Sequence, residues 1–218
     1  MESRLSSLQN IIFDVDGTLW DTTEIVAKAW NRAISEVGGT GAIITPSVLK
    51  KEFGKTMDVI ADDLFSDASE GKKKLILQRC CQYEQVILKE NTDNLLFPNA
   101  KETIEKLSEK CRLFIVSNCQ SGYIELFMEK TGVEKHITDY ECFGNTGKSK
   151  GENIMLVIER NNLNDVVYVG DTQGDYEATL SAGIPFVFAK YGFGKVENCY
   201  MAISRIKELL NLCPSPKK

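Results

Sequence analysis

Five short runs rich in Ile, Val and Phe most constrain the fold of this chain: Asn10–Phe13, Leu113–Val116, Asp139–Phe143, Val166–Val169 and Phe186–Ala189. Four of them are continuously apolar or nearly so, instead of alternating with polar residues, while Asp139–Phe143 is the weak one, broken by Asp139 and Glu141, and each is bounded by polar or turn-forming residues. Strands of that kind are covered on both faces, which is the habit of a parallel sheet. Between them lie segments with apolar residues at helical spacing: Ile104 and Leu107 in 99–110, Ile124, Phe127 and Met128 in 121–130, and Ile154, Val157 and Ile158 in 152–161. Residues 201–210, with Ile203, Ile206, Leu209 and Leu210, are expected to form a further helix. Strand and helix alternate from residue 97 onward, so the expected core is a doubly wound, mainly parallel, Rossmann-like α/β sheet.

The stretch between Thr22 and Thr92 interrupts this alternation. Ile25, Val26, Ala29, Trp30, Ala33, Ile34 and Val37 make one helical stripe, and Leu75, Ile76, Cys80, Tyr83, Val86 and Ile87 make a second. No strand pattern occurs there. The expected organisation is an α/β core of residues 1–20 and 93–218 with a small α-helical domain, 21–92, inserted after the first strand.

Composition narrows the function. A net charge of −5 argues against a nucleic-acid binder that works by neutralising phosphates. No apolar run approaches the ~20 residues that span a bilayer, so no membrane partner is expected. The first eight residues show no apolar signal core or cleavage site, and the seven cysteines follow no metal-ligand spacing. A soluble cytoplasmic protein with free thiols is expected, as a monomer or small homo-oligomer.

The chemistry concentrates at the ends of the strands. Ile11-Ile-Phe-Asp-Val-Asp-Gly-Thr-Leu19 ends an apolar strand in Asp14 and Asp16, one residue apart. In an open parallel sheet, ligands bind at the carboxyl ends of the strands. Carboxylates crowded there repel one another unless a cation lies between them, and Mg2+ suits oxygen ligands together with phosphate. An aspartate facing phosphorus beside such a cation can act as a nucleophile. Leu113-Phe-Ile-Val-Ser-Asn118 ends a second strand in Ser117 and Asn118, where a hydroxyl and backbone amides can hold phosphate oxygens. Gly147-Lys-Ser-Lys-Gly151 brings Lys148 and Lys150 to a helix start, where a lysine can neutralise phosphate and carboxylate together. Val166-Val-Tyr-Val-Gly-Asp171 ends a further strand, with Asp175 four residues on.

Taken in this order, Asp14-Val-Asp16-Gly-Thr, Ser117-Asn118, Lys150 and Gly170-Asp171 with Asp175 resemble the four motifs of the haloacid dehalogenase-like phosphatases. The helical insertion resembles the first-type cap of their phosphoglycolate phosphatase-like members. The resemblance implies a magnesium-dependent hydrolysis of a small phosphorylated metabolite through an aspartyl-phosphate. By that resemblance Asp14 is nucleophile and metal ligand, and Asp16 is general acid and base, touching the metal through its carbonyl. Ser117 and Asn118 hold the phosphoryl group, Asp171 ligates the metal, and Asp175 supports the site through water or the lysine. The third motif departs from the Lys-Pro pair of many relatives. Lys150 is preferred over Lys148 because it directly precedes Gly151, whose lack of a side chain lets the backbone turn beside an anion. Glu52-Phe-Gly-Lys-Thr56 resembles the cap's specificity loop, which gives Lys55 the expected task of reaching a second anionic group. Tyr191-Gly-Phe-Gly194 is expected to shape the rim alone. A phosphosugar mutase shares every motif and differs in the acceptor. A phospho-accepting regulator on the same fold would keep the residues without turnover.

Overall fold

The computed structural model describes residues 8–213. Six parallel strands form one sheet in the order β3-β2-β1-β4-β5-β6, with β1 Asn10–Phe13, β2 Arg112–Ser117, β3 Ile137–Cys142, β4 Val166–Gly170, β5 Phe186–Ala189 and β6 Ala202–Ile203. Every residue of β1, β4 and β5 is buried, which accounts for their unbroken apolarity. Alternate residues serve opposite faces. Ile11, Phe13, Leu113, Ile115, Val167 and Val169 face one core, while Ile12, Phe114, Val116 and Tyr168 face the other. The first core is covered by α5 Ala100–Ser108, α6 Tyr123–Thr131 and a C-terminal 3-10 helix, Ile206–Asn211. The second is closed by α8 Lys150–Asn161, with α9 Gln173–Ala182 beside it.

Four helices stand between β1 and β2: α1 Thr23–Val37, α2 Pro46–Glu52, α3 Met57–Leu64 and α4 Glu70–Glu90. A short α7, Phe143–Thr146, follows β3. The chain leaves and re-enters the core along adjacent paths. Asp21 N–H donates to the Leu95 carbonyl at 2.9 Å, and Phe97 N–H to that of Leu19 at 3.0 Å.

Three expectations shift. The helix expected over 201–210 is instead β6 followed by the 3-10 turn. Ile203, Ile206 and Leu209 are all buried, and a spacing of three fits a 3-10 helix as well as an α-helix. The ladder decides, since Phe188 N–H bonds the Met201 carbonyl and Lys190 N–H that of Ile203, both at 2.9 Å. On α4 the buried stripe is Ile76, Cys80, Glu84 and Leu88, while Leu75 and Val86 are exposed. The third strand begins at Ile137 and ends at Cys142, with Phe143 opening α7. As an edge strand it is buried chiefly at its carboxyl end. Of the polar stretch Cys213-Pro-Ser-Pro-Lys-Lys218, residues 214–218 lie outside the described residues.

Candidate active site

Asp14 follows directly on β1, Ser117 closes β2, Lys150 opens α8, and Asp171 follows β4. Parallel strands in register bring these carboxyl ends together. Asp14, Ser117, Lys150, Asp171 and Asp175 are all buried.

The turns that hold them follow from local chemistry. Gly17 adopts φ +79°, and a Cβ placed there would collide with the Asp171 carboxylate, so only glycine lets the 14–18 loop pass so close. Ser149 caps α8 and Thr172 caps α9. Each accepts from the backbone amide three residues on, and Glu152 and Asp175 return the bond. Asp175 thereby does more than end a helix. Its Oδ2 accepts from the amides of Asp171 (3.1 Å) and Thr172 (3.0 Å) and from the Thr172 hydroxyl (2.8 Å). Its Oδ1 accepts from Lys150 Nζ at 2.5 Å.

Lys150 Nζ also donates to Asp14 Oδ1 at 3.0 Å. Lys148 is exposed, so of the two lysines only Lys150 meets the carboxylates. Gly151 earns its small size differently from expectation. A Cβ there would run into Ser181 and the Ala178 carbonyl on α9, which makes it a helix-packing glycine. Asn118 Nδ2 reaches across to the Gly54 carbonyl at 2.8 Å, while its Oδ1 is buried without a partner. Lys55 borders the same cavity, but its ammonium is held by Glu52 at 2.8 Å and Asp63 at 2.7 Å.

The Asp16 carboxylate stands outside the cluster formed by Asp14, Asp171 and Asp175. Its Oδ1 accepts from the hydroxyls of Tyr123 (2.7 Å) and Thr22 (3.2 Å). The Tyr191–Gly194 loop contributes more than a rim, because Phe193 N–H donates to Asp171 Oδ2 at 2.7 Å and Tyr191 OH to the Thr18 carbonyl at 2.9 Å. Thr18 Oγ1 in turn donates to Asp171 Oδ1 at 3.1 Å. Residue patterning gave no sign of Tyr123, Thr18 or the Phe193 amide as site groups, because none departs from ordinary helix or turn composition.

Burial dominates the electrostatics. It pushes the Asp14 carboxyl up to about 6 against the pull of Lys150. Asp171 rises to about 8 through burial and then through the charges of Asp175 and Asp14. Asp16 is raised well above the ordinary range by burial, with the Tyr123 hydrogen bond opposing. Burial would lower Lys150, but Asp14 and Asp175 hold it above its ordinary value, so it remains an ammonium.

This donor set fits a divalent cation. Oxygens of Asp14, Asp171 and Asp175 lie within 4.8 Å of one another, and among the described residues Lys150 is the ammonium bonded to them. Asp14 Oδ2 is buried with no hydrogen-bond partner, a costly arrangement unless an electrophile or cation meets it. Asp175 Oδ2 already accepts three hydrogen bonds and its Oδ1 takes Lys150, whereas each Asp171 oxygen accepts one and Asp14 Oδ2 none, so Asp14 and Asp171 retain the greater capacity for a metal.

Comparison with known proteins agrees with this geometry. The family model for haloacid dehalogenase-like hydrolases matches residues 11–189. The phosphoglycolate phosphatase of Escherichia coli O157:H7 is 24% identical, over 88% of this chain and 84% of its own length. A phosphorylated carbohydrates phosphatase of Thermotoga maritima is 25% identical, over 94% and 98%. Among solved structures, a haloacid dehalogenase-like family protein from Streptococcus pneumoniae superposes with a TM-score of 0.80 at 18% identity, covering 94% of this chain and 97% of its own. The matched span contains all four strand-end segments of the site, and the chain is an enzyme that belongs to the haloacid dehalogenase-like hydrolase family and groups with its phosphoglycolate phosphatase-like members.

Proposed function

We propose that this enzyme is a magnesium-dependent phosphatase that cleaves a small phosphate monoester through an aspartyl-phosphate on Asp14. The buried, unpartnered Asp14 Oδ2 carries this reading. It is a carboxylate oxygen at the carboxyl end of the central strand, with its sister oxygen fixed by Lys150 at 3.0 Å. Attack of Oδ2 on phosphorus forms the Asp14–phosphorus bond while the ester bond breaks, and Asp16 gives its proton to the departing oxygen. The raised Asp16 carboxyl supports that task, since it keeps a proton to give. Asp16 then takes a proton from water as that water attacks phosphorus, releasing phosphate and restoring Asp14. Ser117 and the Asn118 amide hold the phosphoryl oxygens, and Lys150 balances their charge.

Asp14, Asp171 and the Asp16 carbonyl are the groups that would hold Mg2+. The ion, when bound, supplies charge neutralisation at the phosphoryl oxygens and the attacking carboxylate.

The division we propose is a core of 1–20 and 93–218 with 21–92 as a cap. The loop at 52–56 supports it: Gly54 accepts from Asn118, and a Cβ on Gly54 would press on Thr172 at 3.0 Å. The cavity beneath this loop is about 30 Å³, room for about two waters, and an ester of even a few carbons would fit there once the cap lifts. Lys55, pinned to Glu52 and Asp63, acts by fixing that loop. No helix among the described residues is long and apolar enough to cross a membrane, and the seven free cysteines suit the cytoplasm. A phosphate-release screen over small phosphate esters, with and without Mg2+, tests the proposal. Metal-dependent release from several esters is expected, and full activity in excess chelator would overturn the metal requirement.

A further inference from the structure

The cavity beneath the 52–56 loop has an uneven chemistry. On its core side stand Asp16, the acid of the proposed mechanism, and Ser117 and Asn118, which hold the phosphoryl group. Its cap side is walled by Trp30, Lys55 and Glu84. Glu84 is 3% exposed, a carboxylate within the apolar stripe of α4. Two N–H groups hold it: Trp30 Nε1 donates to Oε2 at 2.7 Å and Gln120 Nε2 to Oε1 at 2.9 Å.

An ionised carboxylate offers about four acceptor sites, so two donors leave it unsaturated. A buried charge with spare acceptor capacity is costly in a purely structural role. In the same lining the Asn118 Oδ1, again an acceptor, is buried with no partner. The lining thus presents unfilled acceptors. Its one basic residue, Lys55, already serves two carboxylates. Beyond the phosphate end the cavity asks for donors and offers no free cation to a second anion.

We propose that Glu84 selects the leaving group, so that the substrate carries a hydroxyl or ammonium donor close to its phosphoester oxygen and no carboxylate. This rests on the phosphatase reading above and extends it to a substrate class. A leaving group with a donor satisfies Glu84 and Asn118 Oδ1 together. A carboxylate in the same place is set against the buried Glu84, and such like-charge contact costs binding steeply.

The test uses three short esters of similar size, namely glycerol phosphate, phosphoethanolamine and phosphoglycolate, with an aryl phosphate as a reference. Each is measured at about pH 8, above the value of about 7 to which burial raises the Glu84 carboxyl. Each ester is assayed both for turnover and as a competitor of aryl phosphate hydrolysis, so a ranking emerges even for a poorly cleaved compound. The expected result is that glycerol phosphate or phosphoethanolamine outranks phosphoglycolate by about a hundredfold. Whichever of the two leads identifies the donor as hydroxyl or ammonium. In Glu84→Gln the ratio should collapse toward parity, because the amide keeps the shape and removes the repulsion. If Glu84→Gln fails to fold, the wild-type ranking decides alone. Phosphoglycolate ranking equal or first, or an unchanged ratio in folded Glu84→Gln, overturns the assignment while leaving the phosphatase reading intact. Failure to release phosphate from every ester, aryl phosphate included, in the presence of Mg2+ removes both.

Discussion

Replacing Lys150 by Met, with Lys148→Met as its companion, separates two lysines that lie two residues apart on one turn. Lys150 is 4% exposed and donates to Asp14 at 3.0 Å and to Asp175 at 2.5 Å. Methionine fills nearly the same space but leaves both carboxylates without their cation. Breaking a buried ion pair from one side costs roughly 3–5 kcal/mol, so the folded Lys150→Met protein should lose stability on that scale at neutral pH. The deficit should shrink on acidification, because protonated carboxyls no longer need the ammonium. Losing a cation that neutralises developing charge in a water-poor site costs about 3–4 kcal/mol in the transition state, or roughly a hundredfold to a thousandfold in kcat. Lys148 is exposed, and its ordered contacts are made by its backbone, to Thr146 Oγ1 and Asn153 Nδ2, both at 3.1 Å. Lys148→Met should therefore stay within about 0.5 kcal/mol of the parent. Denaturant unfolding together with steady-state phosphate release at saturating Mg2+ reads both quantities. A crippled Lys148→Met beside an active Lys150→Met would refute the reasoning.

Other perturbations have signs fixed by the same contacts. Asp14, Asp171 and Glu84 have folded-state values raised to about 6, about 8 and about 7. The stability these three groups contribute to the metal-free protein should thus be fully present below the ordinary carboxyl range and be lost as pH rises from about 4 up to those values. Thermal unfolding across pH should show this decline, with Mg2+ stabilising most at the alkaline end; a metal-free protein that grows more stable from about pH 5 to 8 would contradict it. Tyr123→Phe removes a hydrogen bond that lowers the Asp16 carboxyl, so the limb of the pH–rate profile that requires protonated Asp16 should move to higher pH. A profile that does not move would detach Tyr123 from the acid. Asp175→Asn disturbs the α9 cap and the bond to Lys150, and should cost about 2–3 kcal/mol of stability besides slowing turnover; a change confined to kcat would show that its structural share is small.

Much of the core was legible because its strands are buried on both faces. Asn10–Phe13 and Phe186–Ala189 have the bounds expected from apolarity alone. The edge was harder to read. Ala202–Ile203 becomes a strand only because β5 offers it backbone partners, and no local pattern records that offer. Acidic residues at strand ends marked the site for the same reason that they are useful there, since carboxylates have no packing role at the mouth of a sheet. Glu84 escaped notice for the converse reason. A glutamate on a helix looks like part of the solvated face, and only the neighbouring Trp30 and Gln120 show that it points inward. Lys55 looked like a free cation because its partner Asp63 lies eight residues away on α3.

The central claim is that Asp14 takes the phosphoryl group. Asp14→Asn keeps the size of the side chain and removes its nucleophilic charge, so the variant should fold and show the circular dichroism of the parent. With an aryl phosphate and saturating Mg2+, rapid acid quench followed by mass spectrometry should find one phosphoryl group on the peptide containing Asp14 in the parent and none in the variant. Steady-state turnover of the variant should fall by at least about a thousandfold. A well-folded Asp14→Asn enzyme with parental turnover, or a phosphoryl group trapped on another residue, would contradict the account.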